Sequence, residues 1–165
     1  MADRNRATHS SFHRIAFLVL IALLIAPALS AEWEEGEVQT FILVNTARVL
    51  EGGGGLLVPL SDPLLETVNY DNNRRQVLNR QSGHWVTNKE RWDIFVLYPD
   101  IKYFGEVACY FPFVPTPEQI VEVFRNSPSH WNVLMDPRYN ATIITTLELN
   151  GIAATTIMLL EVRDN

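Results

Sequence analysis

Beyond its first thirty residues, the chain alternates apolar and polar positions in a way that predicts discrete elements. Val38, Phe41, Ile42, Val44 and Val49 recur at helical spacing, with acids ahead of them where a helix dipole favours negative charge. They predict a first helix within Glu32 to Glu51, stopped by Gly52 to Gly55. Ser61-Asp62-Pro63 is a cap with proline at the first helical position. It opens a second helix running to about Arg80, with Leu64, Leu65, Val68, Val77 and Leu78 as its expected buried stripe. From Ser82 to Tyr103 the periodicity fades, and Trp85, Trp92, Phe95, Tyr98 and Tyr103 stand among polar residues. This stretch reads as a long loop pinned by aromatic anchors, with room for a short helical turn.

Residues 105 to 111 (GEVACYF) have strand composition, and Thr116-Pro117-Glu118-Gln119 is a capping box opening a third helix through Ile120, Val121, Val123 and Phe124. Two β-branched runs, Thr142 to Leu149 and Ile152 to Arg163, flank Asn150-Gly151. That dipeptide suits a type I′ hairpin turn, in which both central residues take positive φ. The order helix, helix, loop, strand, helix, strand, strand predicts an α+β domain whose antiparallel sheet is covered by helices.

The first thirty-one residues follow another logic. Arg4, Arg6 and Arg14 precede Ile15 to Ala26 (IAFLVLIALLIA), and Pro27 to Ala31 are small or breaking residues. A basic start, a short apolar run and a small-residue end predict a secretory signal peptide over residues 1–31, cleaved after Ser30 or Ala31. The apolar run has twelve residues, short of the roughly 20 needed to span a bilayer. Residues 32–165 are then the mature domain, secreted to the extracellular space or periplasm. The whole chain has 165 residues and a formal charge of -6; without the leader the charge becomes -8. An acidic domain of this kind is not expected to bind nucleic acid. One cysteine cannot form an internal disulfide, and Cys109, within the apolar alternation EVACYF, reads as a buried small residue rather than a nucleophile.

The same cleavage removes His9 and His13 and leaves His84 and His130, 46 residues apart. Glu106 lies between them, at the start of the predicted strand. Two imidazoles and a carboxylate can supply three corners of a divalent-metal site or a base with its orienting partner; spacing alone leaves both open, beside isolated loop histidines. Asn140-Ala141-Thr142 is a glycosylation sequon. Asn73-Arg74-Arg75 with Arg80 reads as a solvated helix face, and Trp85, Trp92 and Trp131 as hydrophobic anchors ahead of a sugar-stacking surface.

Several segments in order resemble the SCP-type extracellular domain of the CAP superfamily, shared by cysteine-rich secretory proteins, antigen 5 and pathogenesis-related proteins. Leu43-Val44-Asn45-Thr46-Ala47-Arg48 is similar to the opening helix pattern, and Pro59 to Leu65 (PLSDPLL) to the start of the second helix. Gly105-Glu106-Val107-Ala108 resembles the G-E-N segment, and Asn126-Ser127-Pro128-Ser129-His130 with Asn132-Val133-Leu134 resembles N-S-P-G-H, N-I-L. The resemblance covers about Val38 to Arg163, and is nearest to the short, cysteine-poor bacterial version. It implies an α-β-α sandwich with a cleft lined by His84, His130 and Glu106, the two histidines being ligands for a divalent cation, zinc first. The departures are specific. Val107 replaces an asparagine that would brace the glutamate, Phe124 replaces tryptophan, and Ser129 replaces glycine. Asn69, Asp71, Asn72 and Asn73 occupy positions where the second helix is usually alanine-rich. A second pocket glutamate would fall near Ser127 and is missing.

The expected function is a secreted, monomeric module that binds an extracellular ligand in a histidine-lined cleft, with no stable membrane span after cleavage. One alternative is a metal- or His/Glu-dependent hydrolase. The other is a lipid- or protein-interaction module using the aromatic loop.

Overall fold

The structure, a computed structural model, describes residues 33–52 and 54–163; the expected leader at residues 1–31 lies outside them. Helix α1 (Glu35–Leu50) starts on a capping box between Glu34 and Glu37. Strand β1 (Val58–Pro59) leads to helix α2 (Pro63–Asn79), where the Asp62 carboxylate accepts from the N–H groups of Leu64 and Leu65. Helix α3 (Asn88–Leu97) follows, then strand β2 (Ile101–Phe111), helix α4 (Pro117–Arg125), helix α5 (Pro128–Leu134), and strands β3 (Ala141–Leu149) and β4 (Ile152–Val162). The fold is α+β. The sheet order is β1-β3-β4-β2. Its three long strands are antiparallel, and β1 adds a two-residue parallel edge beside β3. Asn150 (φ 53°) and Gly151 (φ 76°) both take positive φ, as the hairpin turn requires.

Strand alternation sends successive side chains of the sheet to opposite faces. On one face Val107, Cys109, Ile144, Ile157 and Leu159 pack with Phe41 and Val44 of α1, Ile120, Val121 and Phe124 of α4, and Leu134 of α5. On the other, Ile143, Met158 and Leu160 pack with Leu65 of α2 and Ile94 of α3. The result is an α-β-α sandwich.

The second face differs from its sequence-based expectation. Leu64 and Leu78 are exposed, and α2 buries Leu65, Asn69, Asn72, Asn73, Gln76 and Val77. These positions form a proper helical stripe, but four of the six side chains are amides. They stay buried because the sheet offers partners. Asn69 Nδ2 donates to the Ile143 carbonyl (3.1 Å), and Asn73 Nδ2 to the Thr145 carbonyl (2.8 Å). Thr156 Oγ1 donates to Asn73 Oδ1 (2.6 Å). A buried amide bonded in this way avoids most of its desolvation penalty, although Asn69 Oδ1 is buried without a partner.

The stretch read as a loop contains α3 and the start of β2. Thr87-Asn88-Lys89-Glu90 is a complete capping box, with the Glu90 carboxylate accepting from Thr87 N–H (2.6 Å). Arg75 closes a bidentate pair with Glu90 at 2.8 and 3.2 Å, tying α3 to α2. The basic cluster is therefore not a uniformly solvated face, since Arg75 is paired and Asn73 is buried. The aromatic residues also divide. Trp92 is exposed, Trp85 folds over Gly83, and Trp131 lies beneath the Arg125 guanidinium at 4.8 Å. Trp92 anchors nothing.

Asn45 and Arg48 of α1, in the segment that resembles the opening helix pattern, hold backbone groups of other segments. Asn45 bonds both the N–H and the carbonyl of Leu57. Arg48 is fully buried and donates to the carbonyls of Gly55, Leu134, Asp136 and Tyr139, so it holds the C-terminal end of α5. The Asn140 side chain bonds the backbone N–H and carbonyl of Val162, both at 2.8 Å, so its amide is already engaged. Among the described residues, no helix is long and apolar enough to cross a membrane.

Candidate functional site

The three residues singled out in the sequence come together beside β2, the outer strand of the sheet. Glu106 sits on β2 with its side chain on the α2 face, and only 1% of that side chain is exposed. Gly105 precedes it because a Cβ there would lie 2.5 Å from the Tyr139 hydroxyl.

His84 arrives from the segment after α2, which ends on Arg80 in the left-handed conformation (φ 51°). That segment is bonded on both sides. Ser82 Oγ accepts from the Tyr110 N–H of β2 (2.9 Å), Asn72 Oδ1 accepts from Trp85 N–H (2.8 Å), and Arg75 donates to the Trp85 carbonyl (2.5 Å). His130 arrives from the opposite layer, on the first turn of α5, with its ring edge-on to Phe124 at 5.6 Å. The two imidazole centroids are 5.6 Å apart at an interplanar angle of 55°.

His84 Nδ1 contacts Glu106 Oε1 at 3.1 Å. In a neutral His84 that donates to this carboxylate oxygen, Nδ1 carries the proton and Nε2 keeps its lone pair for a ligand. A carboxylate behind an imidazole fixes ring orientation and tautomer in this way in many metal sites. Asn72 Nδ2 donates to the same Oε1 (3.1 Å) and to Thr156 Oγ1 (2.9 Å). The amide that braces Glu106 therefore comes from α2. Position 107 could not supply it, since its side chain points into the other face of the sheet.

Partial burial and the nearby His84 lower the pKa of His130, which favours its neutral, ligating form. Glu106 Oε2 is buried without a hydrogen-bond partner. The guanidinium of Arg91, on α3, stands 3.8 Å from it and lies over the Phe104 ring at 5.3 Å.

Asn72 and Arg91 are functional-site neighbours that sequence reasoning missed. The only signal pointing to Arg91 was the Thr87–Glu90 capping box, which would have placed it on a helix. Near the missing second glutamate, Ser127 Oγ meets Ser129 Oγ at 3.2 Å. Among the described residues, no group of three or more His, Cys, Asp or Glu side chains is disposed to hold a metal. The imidazole pair is thus a two-donor arrangement with a carboxylate behind one ring. Cys109 lies on the far face of β2, and burial pushes its thiol pKa far up. An apolar groove of about 720 Å³ between α1 and α4, lined by Leu43, Ala47, Leu50, Phe111 and Val121, is on the other helical layer and includes none of the three site residues.

The four-stranded sheet between two helical layers is similar in fold to solved extracellular and SCP-domain proteins. An outer surface protein of Borrelia burgdorferi superposes with a TM-score of 0.60 at 17% identity, covering 74% of this chain and 90% of that one. A cysteine-rich secretory protein of Staphylococcus aureus gives 0.55 at 14% identity over 79% of this chain. An extracellular SCP-domain protein of Bacillus anthracis gives 0.57 at 14% over 78%. The match spans only 40% of the length of each of the last two proteins. No protein-family model and no curated protein matches the sequence. The likeness is one of fold, in a divergent chain.

Proposed function

We propose that the protein is a secreted SCP-type module that binds a divalent cation, zinc foremost, through His84 and His130. The observation that carries this reading is the convergence of two imidazoles from opposite layers, with the Glu106 carboxylate on His84 Nδ1. Borderline-soft zinc suits neutral imidazole donors, and two protein ligands leave positions for water or for an anionic group of a larger ligand. The orphaned Glu106 Oε2 adds negative charge with no bonded donor of its own. An extracellular location is supported by the basic and apolar leader pattern, and by structural neighbours that are themselves outer-surface, secretory or extracellular proteins.

Hydrolysis is less well supported, because the one cysteine lies on the far face of β2 and, among the described residues, no hydroxyl is bonded to either histidine. Calorimetry with zinc tests the binding reading. The wild type should release heat with about one site per chain, and the His84→Ala, His130→Ala double variant should not. Equal heats for the two proteins would discard it. Affinity should also weaken in acid, where a ring nitrogen binds a proton in place of the metal.

A further inference from the structure

Glu106 is the most negative element of the cleft, and its two oxygens are treated unequally. Oε1 accepts from Asn72 and His84, whereas Oε2 is buried with no donor in bonding range. The guanidinium facing it belongs to Arg91, 3.8 Å away. Four other arginines are committed elsewhere, and Arg74, Arg80 and Arg163 have no ion pair with Glu106. Arg48 is spent on four carbonyls, Arg75 on Glu90, Arg125 on Glu51 and Arg138 on Asp136. Arg91 makes no side-chain hydrogen bond among the described residues; its contacts are the Phe104 ring and the field of Glu106. It is therefore a cation held near the cleft by the Phe104 ring and by the carboxylate that backs His84.

We propose that Arg91 is an internal competitor for the cation, a specificity-determining residue that cancels the charge of Glu106 and keeps the affinity of the imidazole pair low. This inference rests on the reading of the cleft as a cation site. With Arg91 present, two neutral imidazoles, one carboxylate and one guanidinium sum to no net charge, so an arriving dication meets no net attraction from the site. Without Arg91 the same cation meets a buried, uncompensated carboxylate behind His84. Charges a few ångströms apart in a partly buried setting interact strongly enough to matter, even after solvent screening.

The test is zinc calorimetry at low ionic strength on the wild type, Arg91→Met, Arg91→Lys, Glu106→Gln and the Arg91→Met, Glu106→Gln double variant. Matched unfolding midpoints should confirm that each is folded. Methionine keeps the cover over Phe104 while removing the charge. Arg91→Met should bind zinc about tenfold more tightly than the wild type. Arg91→Lys should stay near the wild type, and the gain should vanish in the Glu106→Gln background and shrink with added salt. Equal affinity of wild type and Arg91→Met would overturn the inference while leaving the cleft reading in place. Absence of zinc binding by both folded proteins would overturn both.

Discussion

The two faces of the sheet are both dry, but they are kept so by different chemistry. Under α1, α4 and α5 the side chains against the sheet are mainly hydrocarbon and aromatic, with Phe124 and Leu134 wholly buried, while the buried Asn45 and Arg48 of α1 bond backbone groups of the connecting segments. Under α2 the central stripe is Asn69, Asn72, Asn73 and Gln76, each bonded in a fixed direction to sheet carbonyls, threonines or Glu106. Apolar contacts tolerate a small slide of the helix. Directional amide contacts do not, because a displaced amide loses its bond and strands a buried polar atom. The cleft draws one histidine from each regime, and the more exactingly fixed of the two carries the carboxylate.

The contrast can be broken from either side. The largest effect is expected on the apolar face, where Phe124→Ala should cost about 3–5 kcal/mol in chemical denaturation and also remove the edge-on support of His130. A cost below about 1 kcal/mol would show that the layer collapses to fill the gap. On the polar face, Asn72→Leu should cost about 1–3 kcal/mol, since Trp85 N–H and Glu106 Oε1 each lose a partner. It should also weaken zinc binding by loosening His84. An unchanged unfolding midpoint would mean that the amide network does not hold the layer.

The smallest effect concerns the tie between α2 and α3. The Arg75 guanidinium holds the Glu90 carboxyl down at about 2, against an ordinary value of 4.5. In that window the unfolded chain binds the proton and the folded one does not. The contribution is therefore complete above about 4.5 and is lost as the pH falls toward 2. The pair is partly exposed, so about 1 kcal/mol or less is at stake. Denaturation at pH 7 and pH 3 should show wild type and Glu90→Gln converging in acid; a constant gap would rule out this pair as the cause.

The same contrast explains what the sequence made legible. Helix α4 and the hairpin could be read because their buried positions are apolar or marked by Asn-Gly, and α1 because Phe41 and Val44 lie in its buried face beside Asn45 and Arg48. Helix α2 was legible in extent but not in orientation. A rule that counts only apolar residues selects Leu64 and Leu78, and the true stripe is written in asparagine and glutamine. Helix α3 was lost for a related reason, since it buries Ile94 as its one fully apolar anchor and its start is encoded in the Thr87–Glu90 box. Helix α5 is seven residues long, and β1 is two; neither carries a periodic signal. Of the site, His84, Glu106 and His130 were found from residue type and resemblance. Asn72 was seen only as a departure, as was Val107. The two are separate matters: Val107 belongs to the opposite core, and Asn72 braces the glutamate.

The burial of Arg48 has a mechanical consequence. One side chain of α1 clamps the far end of α5, so His130 is fixed to one layer of the sandwich, while Asn72 and Arg75 fix His84 to the other. The imidazole pair then works like the jaws of a caliper mounted on opposite sides of a plate, and its 5.6 Å opening depends on how both helical layers sit on the sheet. Repacking the sheet far from either histidine should therefore reset the gauge without touching the jaws.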